Sequence, residues 1–234
     1  MNQRTAILTG ASQGLGLALA RRLVDEGWAV VIDARRADRL ADAAAELTER
    51  AGDADRVEAV AGDVTDPEHR RAVAEAARRL GDVQLVVNNA STLGASPLPH
   101  LDELDDDTLR RVLDVNVVAP VALVRELADD LAAGAVVVNI SSDAATGAYE
   151  GWGGYGASKA ALDQVSRVLA AEHPEWRVLA VDPGDMHTEM HQDAFPGEDI
   201  GDRPEPDGAA AAILALVDGD HPSGRYAAAE VVPT

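Results

Sequence analysis

The chain has no cysteine, which excludes a disulfide framework, a thiolate nucleophile and a cysteine metal site. Aromatic residues fill only 3% of its 234 positions, so the core must be aliphatic, drawn from Ala, Val and Leu. No apolar run approaches the roughly 20 residues that span a bilayer. Met1-Asn2-Gln3-Arg4 leads straight into a short apolar segment without the layout of a secretory signal, and the cytoplasm is the expected compartment. Positive charge is scarce too: 20 strong basic residues stand against 41 carboxylates, for a net charge of −21. Phosphate-rich partners require a basic face, so neither nucleic acid nor an anionic membrane is expected as a partner. The acidity reads first as solubility, with adaptation to a salt-rich host as the sharper alternative. Lysine is rarest of the charged residues, because Lys159 alone among the strong bases is not an arginine.

What is present suits one α/β domain. Hydrophobic residues make up 47%, enough for a real core at this length. Short β-branched runs alternate with Ala/Leu/Arg-rich stretches, the pattern of a parallel sheet wrapped by helices. Strands are expected at Thr5–Thr9, Ala29–Ala34, Arg56–Ala61, Leu85–Asn89, Ala135–Ser141, Arg177–Asp182 and, weakly, Arg225–Ala229. Runs such as Val136-Val137-Val138 suit strands covered on both faces. Helices are expected at about Gly14–Glu26, Ala37–Ala51, Pro67–Leu80, Asp107–Ala132, Tyr155–Glu172 and Asp207–Val217. Pro67 behind Asp66 reads as a first-turn proline behind an N-cap, whereas Pro120 should kink or divide its helix. The fold class is a Rossmann-type doubly wound, largely parallel sheet of about seven strands with helices on both faces. No repeat or linker divides residues 1–234, and the irregular stretch at about 184–206 reads as a lid over a site.

The first strand runs into Thr9-Gly10-Ala11-Ser12-Gln13-Gly14-Leu15-Gly16 and then an apolar helix. Glycine permits a tight turn and close approach, and a helix N-terminus favours an anion, so the unit points to a dinucleotide pyrophosphate. Tyr155-Gly156-Ala157-Ser158-Lys159 opens another helix and puts a phenol and an ammonium on one face, a turn apart. A phenol near pKa 10 transfers protons poorly at neutral pH unless a cation lowers that value. A solvated face would take arginine equally well, so a unique lysine at this spacing argues for a compact ammonium that a flat guanidinium cannot replace.

These motifs, in this order, resemble the short-chain dehydrogenase/reductase family in its compact one-domain form, from Thr5 to about Val217. The resemblance implies an oxidoreductase that interconverts a carbonyl and an alcohol on a small molecule. Its turn would hold the cofactor phosphates through Gly10, Ser12, Gly14, Leu15 and Gly16, and Gln13 would stand where many NADP-preferring relatives carry a basic residue. Asp63 and Val64 would bracket the adenine, and Asn88, Asn89, Ala90 and Ser91 would match the family's Asn-Asn-Ala-Gly, with Ser91 in place of the glycine. Pro183, Gly184 and Thr188 would meet the nicotinamide. Tyr155 would be the general acid/base, Lys159 would reach the ribose as well, and Ser142 would polarise the carbonyl, with Ser141 as the alternative. Asn116 would hold a water behind the lysine, or else be a satisfied buried amide.

The end of the second strand bears on the choice between NAD and NADP. A carboxylate there accepts from ribose hydroxyls, and an arginine pairs with a 2′-phosphate. By resemblance the deciding position falls on Ala34, with Arg35 and Arg36 next, so NADP(H) is favoured; a one-residue shift would give the ribose to Asp33, and NAD(H) is the alternative. No metal is expected, since His187 and His191 lack a third ligand. Tyr149, Trp152, Met186, Met190 and Phe195 would form an apolar wall, and the lid carboxylates, among them Glu189 and Asp193, weigh against a highly anionic substrate. Two further readings remain: a non-catalytic dinucleotide sensor, which needs no Ser142/Tyr155/Lys159 set, and a nucleotide-sugar epimerase, which needs a longer C-terminal region. The resemblance also implies a homodimer or homotetramer built on the helices Asp107–Ala132 and Tyr155–Glu172.

Overall fold

The computed structural model describes residues 3–231, so the readings that concern Met1, Asn2 and the end of the tail lie outside the described residues. Seven strands form one sheet in the order β3-β2-β1-β4-β5-β6-β7, with every neighbouring pair parallel. The strands are β1 (Thr5–Leu8), β2 (Ala29–Ala34), β3 (Val57–Ala61), β4 (Val83–Asn88), β5 (Leu131–Ile140), β6 (Arg177–Asp182) and β7 (Gly224–Ala227). The order reverses between β1 and β4, and the crevice beyond their carboxyl ends is where such sheets bind ligands.

The central strands read as unbroken apolar runs because both faces are covered, and the pleat sends alternate residues to opposite layers. Ala6, Leu8, Val30, Ile32, Leu85 and Val87 pack on one side against the helices α1 (Gly14–Asp25), α2 (Ala37–Ala51) and α8 (Pro206–Asp218). Ile7, Val31 and Val86 pack on the other against α3 (Pro67–Leu80) and α5 (Ala119–Leu127). The helix α6 (Gly153–Glu172) covers β5 and β6. As expected, α3 begins on a Pro behind Asp66, whose carboxylate accepts from the Glu68 N–H at 2.8 Å.

One long helix was expected over Asp107–Ala132, and the structure breaks it into parts. The helix α4 (Asp106–Leu113) passes through a π-helical turn at Asp114–Val118 into α5, and Pro120, which has no N–H to give to the preceding turn, follows directly on that irregularity. The segment beyond Leu127 is not helical, and β5 starts at Leu131, paired with Val83 of β4. Leu-Ala-Ala has the better helix propensity, but pairing to a neighbouring strand overrides it. The other strand and helix ends fall within two residues of the expected positions, and Ala29–Ala34, Ala37–Ala51, Pro67–Leu80 and Arg177–Asp182 are unchanged. The expected lid is not wholly irregular, since it contains the short helix α7 (Glu189–Ala194).

Candidate active site

The carboxyl ends of the strands open into a cleft of about 830 Å³, a volume suited to a cofactor with a small substrate. Gly10, Ser12, Gln13, Gly14 and Leu15 line one end of it. The helix α1 starts there with no side-chain cap, which leaves its first N–H groups for an anion. Gly14 has φ 56°, which disfavours a side chain. Gly16 does not line the cleft: a Cβ on it would sit 2.7 Å from the Gly10 carbonyl oxygen and from the Asn89 amide, so it is a glycine of close packing. The uncapped helix start and the tight turn fit a dinucleotide pyrophosphate.

Asn89 builds this turn as well as lining it. Its amide donates to the carbonyls of Thr9 at 2.8 Å and Gly10 at 3.1 Å, and the Thr9 hydroxyl accepts from the N–H groups of Asn89 and Ala90. Asp33 is buried and faces inward, accepting the Gly10 N–H at 2.7 Å while its other oxygen lies 3.0 Å from His69 Nε2. Burial pushes its pKa up, against the bonds from His69 and Gly10. Ala34, Arg35 and Arg36 then edge the cleft. Asp63 and Val64 line it too, and Asp63 also closes a local turn, accepting the Thr65 N–H at 2.9 Å and hydroxyl at 2.8 Å. Burial works to raise the pKa of Asp63, but Thr65, Arg111 and Arg35 outweigh it and hold it below its usual value.

The cleft's other end contains the phenol. Tyr155 and Lys159 are both buried on the first turns of α6, and Lys159 Nζ lies 5.4 Å from the Tyr155 ring centroid. The ammonium donates to the Ile140 carbonyl at 2.8 Å. Burial brings its pKa down to about 8, against the pull of Asp163. Burial drives the phenol's pKa well above its ordinary value; the Ser91 and Ser142 hydroxyls pull it back, and the charges of Asp182 and Asp143 push it further. Ser142 is half-buried at the end of β5, where its hydroxyl donates to Asp143 at 3.0 Å and accepts the Ala144 N–H at 3.1 Å. Ser141 and Ser142 both border the cleft, but Ser141 is buried and its hydroxyl is committed to Asp163, to which it donates at 2.6 Å, whereas Ser142 is the more exposed of the two.

Asn116 lies in the π-helical turn, fully buried and outside the cleft lining. Its amide donates to the Thr92 carbonyl and to the Ser158 hydroxyl, both at 2.9 Å, and its oxygen accepts from Ser91 at 3.1 Å and from the Thr92 N–H at 2.9 Å. The side chain therefore behaves as a satisfied buried amide that ties the segment after β4 to the catalytic helix. Pro183, Gly184 and Thr188 line the cleft, and the Thr188 hydroxyl caps α7 by accepting the His191 N–H at 3.2 Å. Trp152 stands edge-on to Tyr155 at 5.6 Å, with Met186 and Met190 on the same cleft. Two residues expected in that wall are elsewhere: Tyr149 is half exposed against Gly147, and Phe195 packs behind Trp152 at 6.0 Å. His187 pairs with Glu205, and no group of metal-ligating side chains occurs among the described residues.

Two clusters escape a reading by motif. Arg225 of β7 donates to Asp163 and to the Ser142 carbonyl, both at 2.9 Å. Glu189 at the start of α7 meets Gln13, Arg36 and Arg39 across the cleft. Asp163 follows Lys159 by one helical turn, and Arg39 follows Arg36 by three residues, so half of each cluster could have been found from spacing. The partner in each case comes from a distant segment.

No helix among the described residues is long and apolar enough to cross a membrane. The model of the short chain dehydrogenase family matches residues 4–199. A serine 3-dehydrogenase of Agrobacterium fabrum is 37% identical over 191 residues, which cover 80% of this chain and 73% of the relative. A short chain dehydrogenase of Shigella flexneri complexed with NADP superposes with a TM-score of 0.89 at 26% identity, covering 98% of each chain. An alcohol dehydrogenase of Thermococcus sibiricus complexed with 5-hydroxy-NADP gives 0.85 at 28% identity, covering 96% of this chain and 95% of that one. A family model over most of the chain, relatives and solved structures thus agree with a nucleotide-shaped cleft ending at a buried Tyr-Lys pair: the chain belongs to the short chain dehydrogenases, oxidoreductases that interconvert alcohols and carbonyls with a nicotinamide cofactor.

Proposed function

We propose that this chain reduces a small carbonyl compound, reversibly, with NADP(H) favoured and Tyr155 as the proton donor. The observation that carries the reading is the phenol buried beside the chain's only lysine, with Ser91 and Ser142 on the same cleft. The bound nicotinamide supplies the hydride. Tyr155 gives its proton to the carbonyl oxygen; the burial that raises its pKa makes it a weaker acid, which the neighbouring ammonium offsets as the phenolate forms. Lys159, near pKa 8, keeps its ammonium below that pH and stabilises the phenolate left behind. Ser142 donates to the developing oxyanion. Asn116 positions Ser91 and Ser158.

The preference for NADP(H) is supported by Asp33, whose two oxygens are engaged beneath the turn, and by Arg35 and Arg36 at the cleft edge. Residues 184–206 act as the substrate lid, with Trp152, Met186 and Met190 as an apolar wall, while Asp185 and Asp193 on the cleft disfavour an anionic substrate. A cytoplasmic homo-oligomer fits this reading. Val118 and Val121 leading into and on α5, and Val168 on α6, are the large apolar side chains exposed on those helices. Replacing Val118 and Val121 together by Glu is expected to give a monomer by light scattering.

A panel of carbonyls and alcohols with NADPH and NADH tests the activity. Tyr155→Phe is expected to lower kcat by about 10²- to 10⁴-fold with the NADPH Kd unchanged. A variant at wild-type rates would refute the assignment.

A further inference from the structure

The start of α7 crosses the cofactor cleft and lands on the Gly-rich turn. A Cβ on Gly14 would lie 3.5 Å from the Thr188 methyl, and the next residue, Glu189, reaches further across. One oxygen of its carboxylate accepts from Gln13 at 2.5 Å, from Arg36 at 2.9 Å and from Arg39 at 3.0 Å. The Gln13 carbonyl accepts in turn from Arg36 at 2.8 Å and from Arg39. A single anionic oxygen thus sits among three donors at the edge where β2 ends. Arg36 is a residue that the reading above gives to the 2′-phosphate, and Gln13 lines the same edge of the cleft.

We propose that Glu189 is an internal competitor for the 2′-phosphate of the cofactor, and that its ion pairs with Arg36 and Arg39 latch α7 across the cleft. This rests on the preceding reading of that edge as the 2′-phosphate site. A carboxylate and a phosphate ester offer the same chemistry to an arginine, but the phosphate carries more charge and more acceptor oxygens. The groups forming the latch are all between 42% and 48% exposed, so water screens the pairs and they exchange readily. A dinucleotide with a 2′-phosphate takes the two guanidinium groups, repels the carboxylate and frees α7. A dinucleotide with a 2′-hydroxyl brings no competing anion and leaves the latch shut. Glu189 therefore weakens NADP(H) binding selectively and makes the lid respond to the 2′-phosphate.

The test is a fluorescence titration of NADPH and NADH against the full chain, its Glu189→Gln variant and an Arg36→Leu/Arg39→Leu variant. A latch closed in four of five molecules lowers apparent affinity about fivefold, so Glu189→Gln is expected to tighten NADPH by about that factor and to move NADH by less than twofold. Hydrogen exchange over residues 188–194 should quicken when adenosine 2′,5′-bisphosphate is added to the wild type, and not with adenosine 5′-monophosphate. If Glu189→Gln leaves the ratio of the two Kd values unchanged, or the bisphosphate does not alter exchange, the latch is wrong. If the double arginine variant keeps the wild-type ratio, the 2′-phosphate site itself is misplaced, and the inference falls with it. Selective weakening of NADPH in that variant, beside an inert Glu189→Gln, overturns the latch alone.

Discussion

Arg225 Nε donates to the buried carboxylate of Asp163 at 2.9 Å while its terminal nitrogen donates to the Ser142 carbonyl at 2.9 Å, so the last strand holds the serine loop against the catalytic helix. Asp163 also accepts from Ser141 and helps Lys159, one turn earlier on α6, to keep its proton. Removing the guanidinium would leave the buried carboxylate without its hydrogen-bonded ion pair and with Ser141 as its remaining bonded partner, a change that costs up to about 3–5 kcal/mol. Arg225→Met is therefore expected to lower Tm and to reduce kcat about tenfold, with cofactor Kd unaffected, since geometry losses near an oxyanion act on the transition state. Adding Asp163→Asn should recover part of the stability, because the orphan charge is gone. Thermal unfolding of the single and double variants checks this, and simple additivity would rule out the pairing as the source of the loss.

The parts of the site legible in the sequence are those written within one turn of chain. Gly10 to Leu15 and Tyr155 to Lys159 each form their geometry locally, and the structure assembles both on one cleft. Arg225 had no such local context, since its role depends on β7 lying beside β6. Glu189 and Arg36 meet only because the chain after β6 folds back over the β1 turn. Strand parity did carry information about Asp33: it shares a face with Val31, the face covered by α3, and that helix supplies His69. The Ala-rich end of the expected fourth helix misled because propensity is a weak prior against pairing with β4.

The buried lysine makes stability depend on pH in a definite direction. Its folded pKa is about 8 against an ordinary value of 10.5, so between those values the unfolded chain binds more protons and stability rises with pH. The slope from this group is about 1.4 kcal/mol per pH unit across that window. Below pH 8 the charged, buried ammonium carries its full penalty. Lys159→Met should thus raise Tm at pH 7 while abolishing turnover, and its advantage should shrink as pH rises from 8 to 10. Calorimetry of both proteins without cofactor measures this. An advantage that stays constant over that range would mean the buried lysine keeps its proton up to its ordinary value, with no depressed pKa.

Asp33 offers the cleanest separation of the two cofactor readings. If it served the ribose hydroxyls, removing its charge would weaken NADH and spare or improve NADPH. In the structure its oxygens go to the Gly10 N–H and to His69, so the same substitution acts on the turn that both cofactors share. Asp33→Asn retains an oxygen for Gly10 but loses the anion that faces His69, and it should shift both Kd values in the same direction by similar factors. His69→Leu removes the second partner and leaves the buried carboxylate with a single bond, which should cost about 1–3 kcal/mol or more, as for an unsatisfied buried polar group. Titrations with the two reduced cofactors, run beside thermal unfolding, separate the cases: a selective loss of NADH binding in Asp33→Asn would return the ribose to Asp33 and reverse the preference for NADP(H).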